Sequence, residues 1–343
     1  SKEENEEPLL LSEGLDDYLD QIENNPIDVV GISSGYPLYD YAIGGGFRRK
    51  TVNLIGARTG VGKSMLAGNI GLHVSEELNI PILYLDTEMS NEDHWHRIMA
   101  NKAGVTIHDV ETGKYIKSQL IANKVRKAAK DIKTLPFHYL NVSGKSSEEI
   151  LSIMRRWLAK EVGSDESGRT NPCLIIYDYL KMMSSDGISS SMKEYQILGF
   201  MMTEMHNFAV RQDVPILSFI QLNRDGIDRE ATDIVSGSDR VVWLTSNLCI
   251  FKPKSDAEIA DDGAENGNVK LVPLKCRHGA GLPPGDYINM LIQGEYARII
   301  EKETKYNLLQ GKNSKQEPDL IEDNQDVNFG NSDEDKTDQA NLF

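Results

Sequence analysis

The sequence has no run of 18 or more apolar residues, so it predicts no membrane-spanning helix. Its acidic first 15 residues lack the basic-then-apolar order of a signal peptide. Cysteine is scarce as well, since Cys173, Cys249 and Cys276 lie far apart and form no CxxC pair. These absences argue against a disulfide framework and a structural zinc site, and they favour a reducing, cytoplasmic environment.

The formal net charge of −16 is concentrated at the two ends of the chain. Residues 1–20 carry −7 and residues 311–343 carry −6, which leaves −3 for the 290 residues between them. The middle of the chain is therefore predicted to be a nearly neutral globular body between acidic ends. Such a body can still bind nucleic acid, because binding requires only a local basic or amide-lined surface.

The sequence divides into three segments. Residues 1–30 form an acidic N-terminal segment with a helical stripe, which could pack on the chain's own body or on a neighbouring subunit. Residues 31–305 form the body. Residues 306–343 are predicted to be an acidic disordered tail that either keeps the protein soluble or binds basic partners. The helical stripe comprises Leu10, Leu11, Leu15, Tyr18, Leu19 and Ile22.

Apolar runs alternate with amphipathic segments through the body. The apolar runs predict buried strands at 51–57, 81–88, 172–178, 214–221, 246–251 and 269–276. The amphipathic segments predict helices near 62–78, 91–103, 114–131, 146–162 and 192–212, and a hairpin is predicted around Gly294. The alternation predicts an α/β fold, with a mainly parallel sheet covered by helices on both faces.

The segment ARTGVGKS at residues 57–64 follows a predicted strand and precedes a predicted helix. In this setting a P-loop binds nucleotide phosphates through backbone N–H groups, with Lys63 at the β- and γ-phosphates and the Ser64 hydroxyl on Mg²⁺. Ala57 stands where the strict pattern has glycine. The predicted nucleotide-binding residues are Ala57, Arg58, Thr59, Gly60, Val61, Gly62, Lys63, Ser64 and Met65.

Acidic residues end two further predicted strands. Asp178 ends the run at 172–178, where it would help to hold the magnesium ion beside the P-loop. Asp86 and Glu88 end the run at 81–88, and a regular strand would point both of them, with Tyr84, to one side. Either carboxylate could then orient water at the γ-phosphate, and the spacing alone does not choose between them.

The segment KCRHG at residues 275–279 carries two cations one residue apart. On a strand, Lys275 and Arg277 project to the same side, and Cys276 packs on the other. The residues alone leave three interpretations: a solvated strand end, a metal site that uses Cys276 and His278, or a device aimed at another molecule. The metal site has too few ligands to be favoured.

Several motifs in order, between about Gly31 and Glu301, resemble the ATPase domain of DnaB-type replicative helicases, a hexameric branch of the RecA-like P-loop proteins. LDTEMS is similar to the family segment SLEM, and LKCRHG is similar to KQRNG. The resemblance implies a RecA-like core that binds ATP and Mg²⁺, and the linker suggests a phage member. The matching segments are GISSGYPLYDYAIGGGFRRKTVNLIGAR, LDTEMSNEDHWHRIMANKAGV, LIIYDYLKMM, VPILSFIQLNR, SGS and LKCRHG.

The resemblance also implies roles for individual residues. Glu88 becomes the catalytic glutamate, and Gln221 becomes the sensor that couples the γ-phosphate to DNA-binding loops. Lys275 and Arg277 would act on the neighbouring subunit's γ-phosphate, with Arg277 as the arginine finger, and neither would have a role within its own subunit. Single-stranded DNA would be contacted by Ser236, Gly237, Ser238 and Arg224.

The helix predicted at 91–103 carries Arg97 and the cluster His94-Trp95-His96. The resemblance gives Arg97 a place beside the nucleotide site, where packing and an ion pair are equally compatible with the sequence. On a helix His94 and His96 point apart, so we expect surface or interface packing from them rather than a metal or DNA element.

The resemblance implies an ATP-dependent helicase that forms a hexameric ring, translocates on single-stranded DNA and unwinds duplex at the replication fork. Its expected partners are a primase and a helicase loader, in the cytoplasm of a bacterium or a phage-infected host. Two alternatives remain: a filament-forming RecA-like recombination or repair ATPase, and a non-motor ATP-binding assembly module. The family's N-terminal scaffold domain has no counterpart, so the chain is either a fragment or a protein without that domain. Ile234 and Val235 replace a charged pair that commonly precedes SGS.

Overall fold

The structure is a computed structural model that describes residues 10–27, 29–180, 194–222 and 239–314. Its helices are α1 (Leu15–Asn24), α2 (Pro37–Ala42), α3 (Lys63–Glu76), α4 (Asn91–Ala103), α5 (Ile107–Glu111), α6 (Gln119–Ile132), α7 (Ser147–Trp157), α8 (Glu194–Gln212), α9 (Asp239–Leu244), α10 (Asp256–Asp262) and α11 (Lys305–Ser314). Its strands are β1 (Val52–Ala57), β2 (Ile82–Asp86), β3 (Phe137–Asn141), β4 (Leu174–Leu180), β5 (Ile216–Gln221), β6 (Asn247–Pro253), β7 (Val269–Cys276), β8 (Ile288–Gln293) and β9 (Arg298–Thr304).

Within the described residues these strands form one sheet in the order β3-β2-β4-β5-β1-β6-β7-β8-β9. Neighbouring strands from β3 to β6 in this order are parallel. The strands β7, β8 and β9 continue the sheet in antiparallel pairs. The predictions of a mainly parallel sheet, of the six buried strands and of a hairpin around Gly294 are confirmed.

The sequence does not predict strand β3. Its segment, FHYLN, is short and only partly buried, because β3 lies at the edge of the sheet with β2 as its one neighbour. His138 and Asn141 interrupt the apolar residues, so the segment lacks the continuous apolar run that identifies the central strands.

Helices cover both faces of the central strands, which explains why β1, β2 and β4 are buried along their whole length. On one face, Leu66 and Ile70 of α3 pack with Tyr39 of α2. On the other face, Trp157 of α7 and Met202 of α8 pack against the same sheet. Each large apolar side chain buried in this way contributes roughly 1.5–3 kcal/mol.

The carboxyl ends of the parallel strands meet at one edge of the sheet. Asp86, at the end of β2, is the register partner of Asp178 in β4. Ala57, at the end of β1, is the register partner of Gln221 at the end of β5. Because ligands of open parallel sheets bind beyond the carboxyl ends of the strands, this edge is the expected site. The fold therefore brings the segments with candidate nucleotide-binding residues together.

The two ends of the described chain differ in how they pack. Helix α1 confirms the predicted helix, but none of its residues is buried. Helix α11 extends to Ser314, so the first residues of the segment predicted to be a disordered tail are helical instead. Tyr306 explains this start, since its backbone N–H donates to Asp286 Oδ1 and its hydroxyl donates to the Pro284 carbonyl oxygen. Residues 315–343 lie outside the described ones. No described helix is long and apolar enough to span a membrane.

Candidate nucleotide-binding and interface site

The turn between β1 and α3 has the backbone geometry of a phosphate-binding loop. Gly60 (φ 82°) and Gly62 (φ 111°) adopt the left-handed conformation that favours glycine. The Lys63 ammonium folds over the loop and donates to the Arg58 carbonyl oxygen at 3.2 Å, and burial lowers the pKa of Lys63. Residues 57–65, the predicted nucleotide-binding set, thus form the end of β1, this loop and the first turn of α3. The loop offers backbone N–H groups and a cation at a helix N-terminus, as anion binding requires.

Asp178 lies in β4 beside this loop and is 2% exposed. Burial raises the pKa of Asp178, and hydrogen bonds from Ser64 and Tyr84 oppose that increase. The Tyr84 hydroxyl donates to Asp178 Oδ2 at 2.8 Å, whereas the buried Oδ1 has no hydrogen-bond partner among the described residues. A carboxylate oxygen without a partner beside a serine hydroxyl fits Mg²⁺, which binds through few protein ligands and substrate phosphates.

The structure distinguishes the two acids at the end of β2. The strand ends at Asp86, so the regular alternation that would align both side chains stops there. The Asp86 carboxylate is buried and is bonded within the protein, as described below. Glu88 is exposed instead, and its Oε1 accepts a 3.0 Å hydrogen bond from the Tyr179 hydroxyl. Glu88 is therefore the carboxylate that faces the open site.

Tyr179 is a site residue that the sequence does not single out. Its hydroxyl bonds Glu88, and its ring centroid lies 5.3 Å from the Lys63 ammonium. Burial, followed by the bond to Glu88, raises the pKa of Tyr179 to about 12. Burial lowers the pKa of Lys63, and the charges of Asp178 and Glu88 oppose that decrease. The position of Tyr179 directly after Asp178 is the one signal that the sequence offers.

Two further predicted residues lie at the same edge. Gln221 is the exposed last residue of β5, next to the start of the loop. Arg97 of α4 lines a small cavity together with Ser64 and His94. His94 itself is buried, so the expectation that it packs at a surface is wrong. His96 is partly exposed, as that expectation requires.

The Lys275 side chain makes hydrogen bonds within its own chain. Its ammonium donates to the carbonyl oxygens of Val242 and Thr245, each at 2.7 Å, at the C-terminal end of α9. Burial and the neighbouring Arg277 lower the pKa of Lys275. The expectation that Lys275 has no role in its own subunit is therefore wrong. The reason is that helix C-termini leave carbonyl groups without partners, and a cation nearby satisfies them.

Arg277 differs from Lys275 because its side chain is exposed. It follows β7, and its backbone N–H donates to the Ser246 carbonyl oxygen at 3.0 Å, which fixes the chain at this point. Cys276 between the two cations packs against the apolar core, as predicted, and burial raises its pKa to about 11. Arg277 is thus the more exposed of the two cations, since Lys275 is only partly exposed.

The predicted DNA-binding residues are not among those that the structure describes. Arg224 and the segment of Ser236, Gly237 and Ser238 lie outside the described residues. Helix α9, whose C-terminal carbonyl groups accept hydrogen bonds from Lys275, begins at Asp239 immediately after that segment. The assignment of these residues to DNA stays a prediction.

The chain is similar in sequence to replicative DNA helicases. It is 22% identical to the replicative DNA helicase DnaC of Bacillus subtilis over 304 residues, which cover 85% of this chain and 61% of that protein. It is 26% identical to a probable replicative DNA helicase of Trieres chinensis over 200 residues, which cover 57% of this chain and 41% of that protein. The chain therefore spans less than two thirds of the length of these relatives.

Solved structures show the same fold. One of them, an ATPase domain, matches with a TM-score of 0.72 at 18% identity, over 87% of this chain and 100% of that one. A DnaB-like replicative helicase, studied for its interactions with primase, matches with a TM-score of 0.70 at 17% identity, over 87% of this chain and 68% of that one. The sheet is therefore the RecA-like sheet of DnaB ATPase domains. A family model described as the DnaB-like helicase C terminal domain matches residues 31–236, and the chain belongs to that family.

Proposed function

We propose that the chain is the ATP-hydrolysing motor of a replicative DNA helicase. The observation that carries the proposal is the convergence of Lys63, Ser64, Asp178 and Glu88 at the carboxyl ends of β1, β4 and β2. A cation, a hydroxyl, a buried acid and an exposed acid are the groups that nucleotide hydrolysis at a P-loop requires. Family membership supplies the DNA-related part of the proposal.

Each group has a distinct task in hydrolysis. The 57–65 loop holds the phosphates through its N–H groups, and Lys63 leaves the Arg58 carbonyl to bind the phosphate oxygens. Ser64 and Asp178 would hold Mg²⁺, which neutralises charge on the phosphates when it is bound. Glu88 orients water and accepts its proton, while the Tyr179 hydroxyl holds the Glu88 carboxylate in place. Gln221 would sense the γ-phosphate from the end of β5.

The cation that completes the site would come from a second subunit. Arg277 is exposed on the far side of β6 from the strand that leads into the P-loop. An arginine placed against a neighbour's γ-phosphate makes hydrolysis depend on assembly and stabilises the charge of the transition state. A closed ring of six subunits, with ATP at each interface, is the assembly that the family implies.

Helix α1 supplies a surface for this assembly. Its apolar residues Leu15, Tyr18, Leu19 and Ile22 are 41–58% exposed, and acidic residues surround them. A surface on α6 and the turn before it has the complementary character, with exposed Ile116 and Leu120 among basic side chains. The exposed basic residues there are Lys114, Lys117, Lys124, Arg126, Lys127, Lys130 and Lys133. We therefore place α1 of one subunit on this surface of the next.

The motor would act on single-stranded DNA through Ser236, Gly237, Ser238 and Arg224. Hydroxyl and N–H contacts to phosphates position the strand without reading its sequence, so binding should be independent of sequence and weaken with salt. A primase and a helicase loader are the proposed partners, in the cytoplasm. The solved relative studied with primase supports the first of these.

The proposal is tested with the purified chain, Mg²⁺ and ATP. We expect ATP hydrolysis that single-stranded DNA stimulates, unwinding of a forked duplex, and closed rings in electron micrographs with a nonhydrolysable ATP analogue. Hydrolysis without unwinding at every protein concentration would contradict a helicase. Open filaments on DNA would instead indicate a recombination ATPase, and tight ATP binding without turnover would indicate a non-motor module.

A further inference from the structure

A buried carboxylate and imidazole lie directly behind the candidate catalytic glutamate. Asp86 is 1% exposed and His94 is 4% exposed. His94 Nε2 lies 2.9 Å from Asp86 Oδ2, close enough for a strong hydrogen bond. Burying a carboxylate costs free energy unless it is paired and hydrogen-bonded. His94 supplies one of the partners that the buried Asp86 requires. Neither residue has a task in the proposed function.

The second oxygen of the same carboxylate controls the turn that carries Glu88. Asp86 Oδ1 accepts hydrogen bonds from the backbone N–H groups of Glu88 at 2.6 Å and Met89 at 2.8 Å. A carboxylate is planar and rigid, so fixing one oxygen fixes the direction of the other. The contact from His94 to Oδ2 therefore determines where Oδ1 meets the amide of Glu88.

The imidazole is itself held firmly. His94 lies in the first turns of α4, whose start is fixed by a capping box between Ser90 and Asp93. Its ring packs against Tyr84 at a centroid distance of 4.7 Å and against Tyr139 at 4.2 Å. These aromatic residues extend the network to the site.

The aromatic residues touch both halves of the site. The Tyr84 hydroxyl donates to Asp178, the candidate magnesium ligand, and the Tyr139 hydroxyl donates to the Met89 carbonyl oxygen at 2.5 Å. The Thr87 backbone N–H donates to the Asp178 carbonyl oxygen at 2.9 Å. The turn after β2 is thus fixed against β3, β4 and α4 together, with His94 as the contribution from α4.

We propose that His94 is a positioning residue, which acts through Asp86 to hold the backbone of Glu88 where its carboxylate can orient the attacking water. The inference rests on the proposed ATPase function and adds a residue to it. In this proposal His94 acts on Glu88 only through Asp86 and takes no part in binding the nucleotide. Its loss should therefore lower kcat and leave ATP binding, which the P-loop provides, largely unchanged.

Three variants test the inference. In His94→Leu the carboxylate of Asp86 loses its partner, and we expect kcat to fall about 10- to 100-fold, because a misplacement of about 1 Å has an effect of that size. In His94→Gln an amide N–H reaches about as far as imidazole Nε2, so kcat should stay within about threefold of the original. His96→Leu is the matched control on the same helix, since His96 is partly exposed and lies 4.0 Å from Glu111.

The measurements are kcat and KM for ATP, with Mg²⁺ and single-stranded DNA, and the Kd of a fluorescent ATP analogue. The expected result is a loss of kcat in His94→Leu alone, with KM and Kd within about twofold, as for an interaction made only in the transition state. Asp86→Ala should lower kcat similarly, and the double variant should be no worse, because the two residues act in series. A His94→Leu enzyme with unchanged kcat, or one in which Kd rises as much as kcat falls, overturns the inference.

If His94→Leu does not fold, the pair His94→Gln and His94→Asn decides. The shorter asparagine amide does not reach Asp86 Oδ2 in place of Nε2, so its kcat should be the lower of the two, and equal values overturn the inference. Failure of the proposed ATPase function gives a different experimental result. In that case the unmodified chain itself shows no ATP hydrolysis, whereas failure of this inference leaves an active enzyme that does not depend on His94.

Discussion

The Lys275 ammonium donates a 2.7 Å hydrogen bond to the carbonyl oxygen of Thr245, just beyond the C-terminal end of α9. A cation at this end of a helix supplies donors to carbonyl groups that have no partner in the helix and interacts favourably with the helix dipole. Arg277, two residues further on, is exposed. The two cations that strand alternation makes equivalent thus occupy different environments, and we expect different consequences when each is removed.

Replacing Lys275 by methionine should destabilise the protein. Lys275→Met keeps the aliphatic stem but removes the donor to Val242 and Thr245, and we expect the free energy of unfolding to fall by about 1–3 kcal/mol. Urea unfolding followed by circular dichroism gives this quantity. Lys133→Met, at an exposed position, is the control and should change it by less than about 0.5 kcal/mol. Unchanged stability in Lys275→Met would show that the ammonium does not hold the end of α9.

Replacing Arg277 by alanine should leave the fold intact and stop DNA-stimulated ATP hydrolysis. The side chain is exposed, so its removal costs little stability, whereas an arginine finger contributes about 10³- to 10⁵-fold to kcat. The Kd for a fluorescent ATP analogue should stay unchanged. Normal hydrolysis by Arg277→Ala would eliminate the finger assignment.

Mixed rings separate action on a neighbour from action within one subunit. Arg277→Ala subunits retain Glu88, and Glu88→Ala subunits retain Arg277. If Arg277 acts on the next subunit, some interfaces in a mixture combine an intact Glu88 with an intact Arg277. Mixing the two inactive variants should then restore measurable ATP hydrolysis. A mixture as inactive as its components would argue for action within one subunit.

The P-loop illustrates what the sequence is able to predict. Its phosphate contacts are backbone N–H groups, and glycines at two left-handed positions specify that backbone locally. The central strands are equally predictable, because continuous burial on both faces demands continuous apolar runs. Both predictions follow from the local sequence and do not require knowing which distant residues pack against the segment.

The choice between Asp86 and Glu88 shows where such prediction stops. The two acids are two positions apart, and the outcome depends on His94, which reaches Asp86 from a different element. Likewise, nothing near Lys275 in the sequence indicates that α9 ends beside it. These assignments depend on tertiary neighbours, whereas the resemblance of the motif around Glu88 predicts a role for it without giving the physical reason.

Asp178→Asn should remove magnesium-dependent hydrolysis without unfolding the protein. Burial raises the pKa of Asp178, which means that the buried site disfavours the negative charge. A neutral group of the same shape is therefore tolerated, and we expect the unfolding temperature at pH 7 to be equal or higher. Hydrolysis at saturating Mg²⁺ should fall at least about 100-fold, because the carboxylate for the cation is lost. A large drop in unfolding temperature would show that the carboxylate has a structural role instead.

Glu301 should make stability depend on pH. Its carboxylate accepts the backbone N–H groups of Leu38 and Tyr39 at the start of α2. Burial, with Asp40 nearby, raises its pKa from 4.5 to about 7. The folded protein thus retains a proton between about pH 4.5 and pH 7 that the unfolded chain has released, and stability from this group is lost as the pH rises through that window.

Glu301→Gln isolates this effect, because glutamine does not titrate. The difference in unfolding free energy between the original protein and Glu301→Gln should shift in favour of the variant as the pH rises from about 5 to about 8. Chemical unfolding at several pH values measures the difference, and the other titrating groups cancel in it. A difference that is independent of pH would contradict the raised pKa.

Ring assembly should depend on the apolar side chains of α1. Since none of its residues is buried in its own chain, the double substitution Leu19→Ser with Ile22→Ser should leave the unfolding temperature of the monomer unchanged. In a ring these side chains would leave water, and each is expected to contribute about 1.5–3 kcal/mol to the contact. Sedimentation velocity with an ATP analogue should therefore show fewer rings and more monomer.

The same variant links assembly to catalysis. An Arg277 that acts on the neighbouring subunit requires assembled interfaces. The double variant Leu19→Ser with Ile22→Ser should therefore lose ATP hydrolysis at low protein concentration and regain it at high concentration. Gln21→Ser with Asn24→Ser, at exposed uncharged positions of the same helix, is the control for a change in polar residues alone and should keep both rings and hydrolysis. Full ring formation by the Leu19→Ser, Ile22→Ser variant would show that α1 does not form the contact between subunits. A contact that loses two buried apolar side chains cannot keep its affinity.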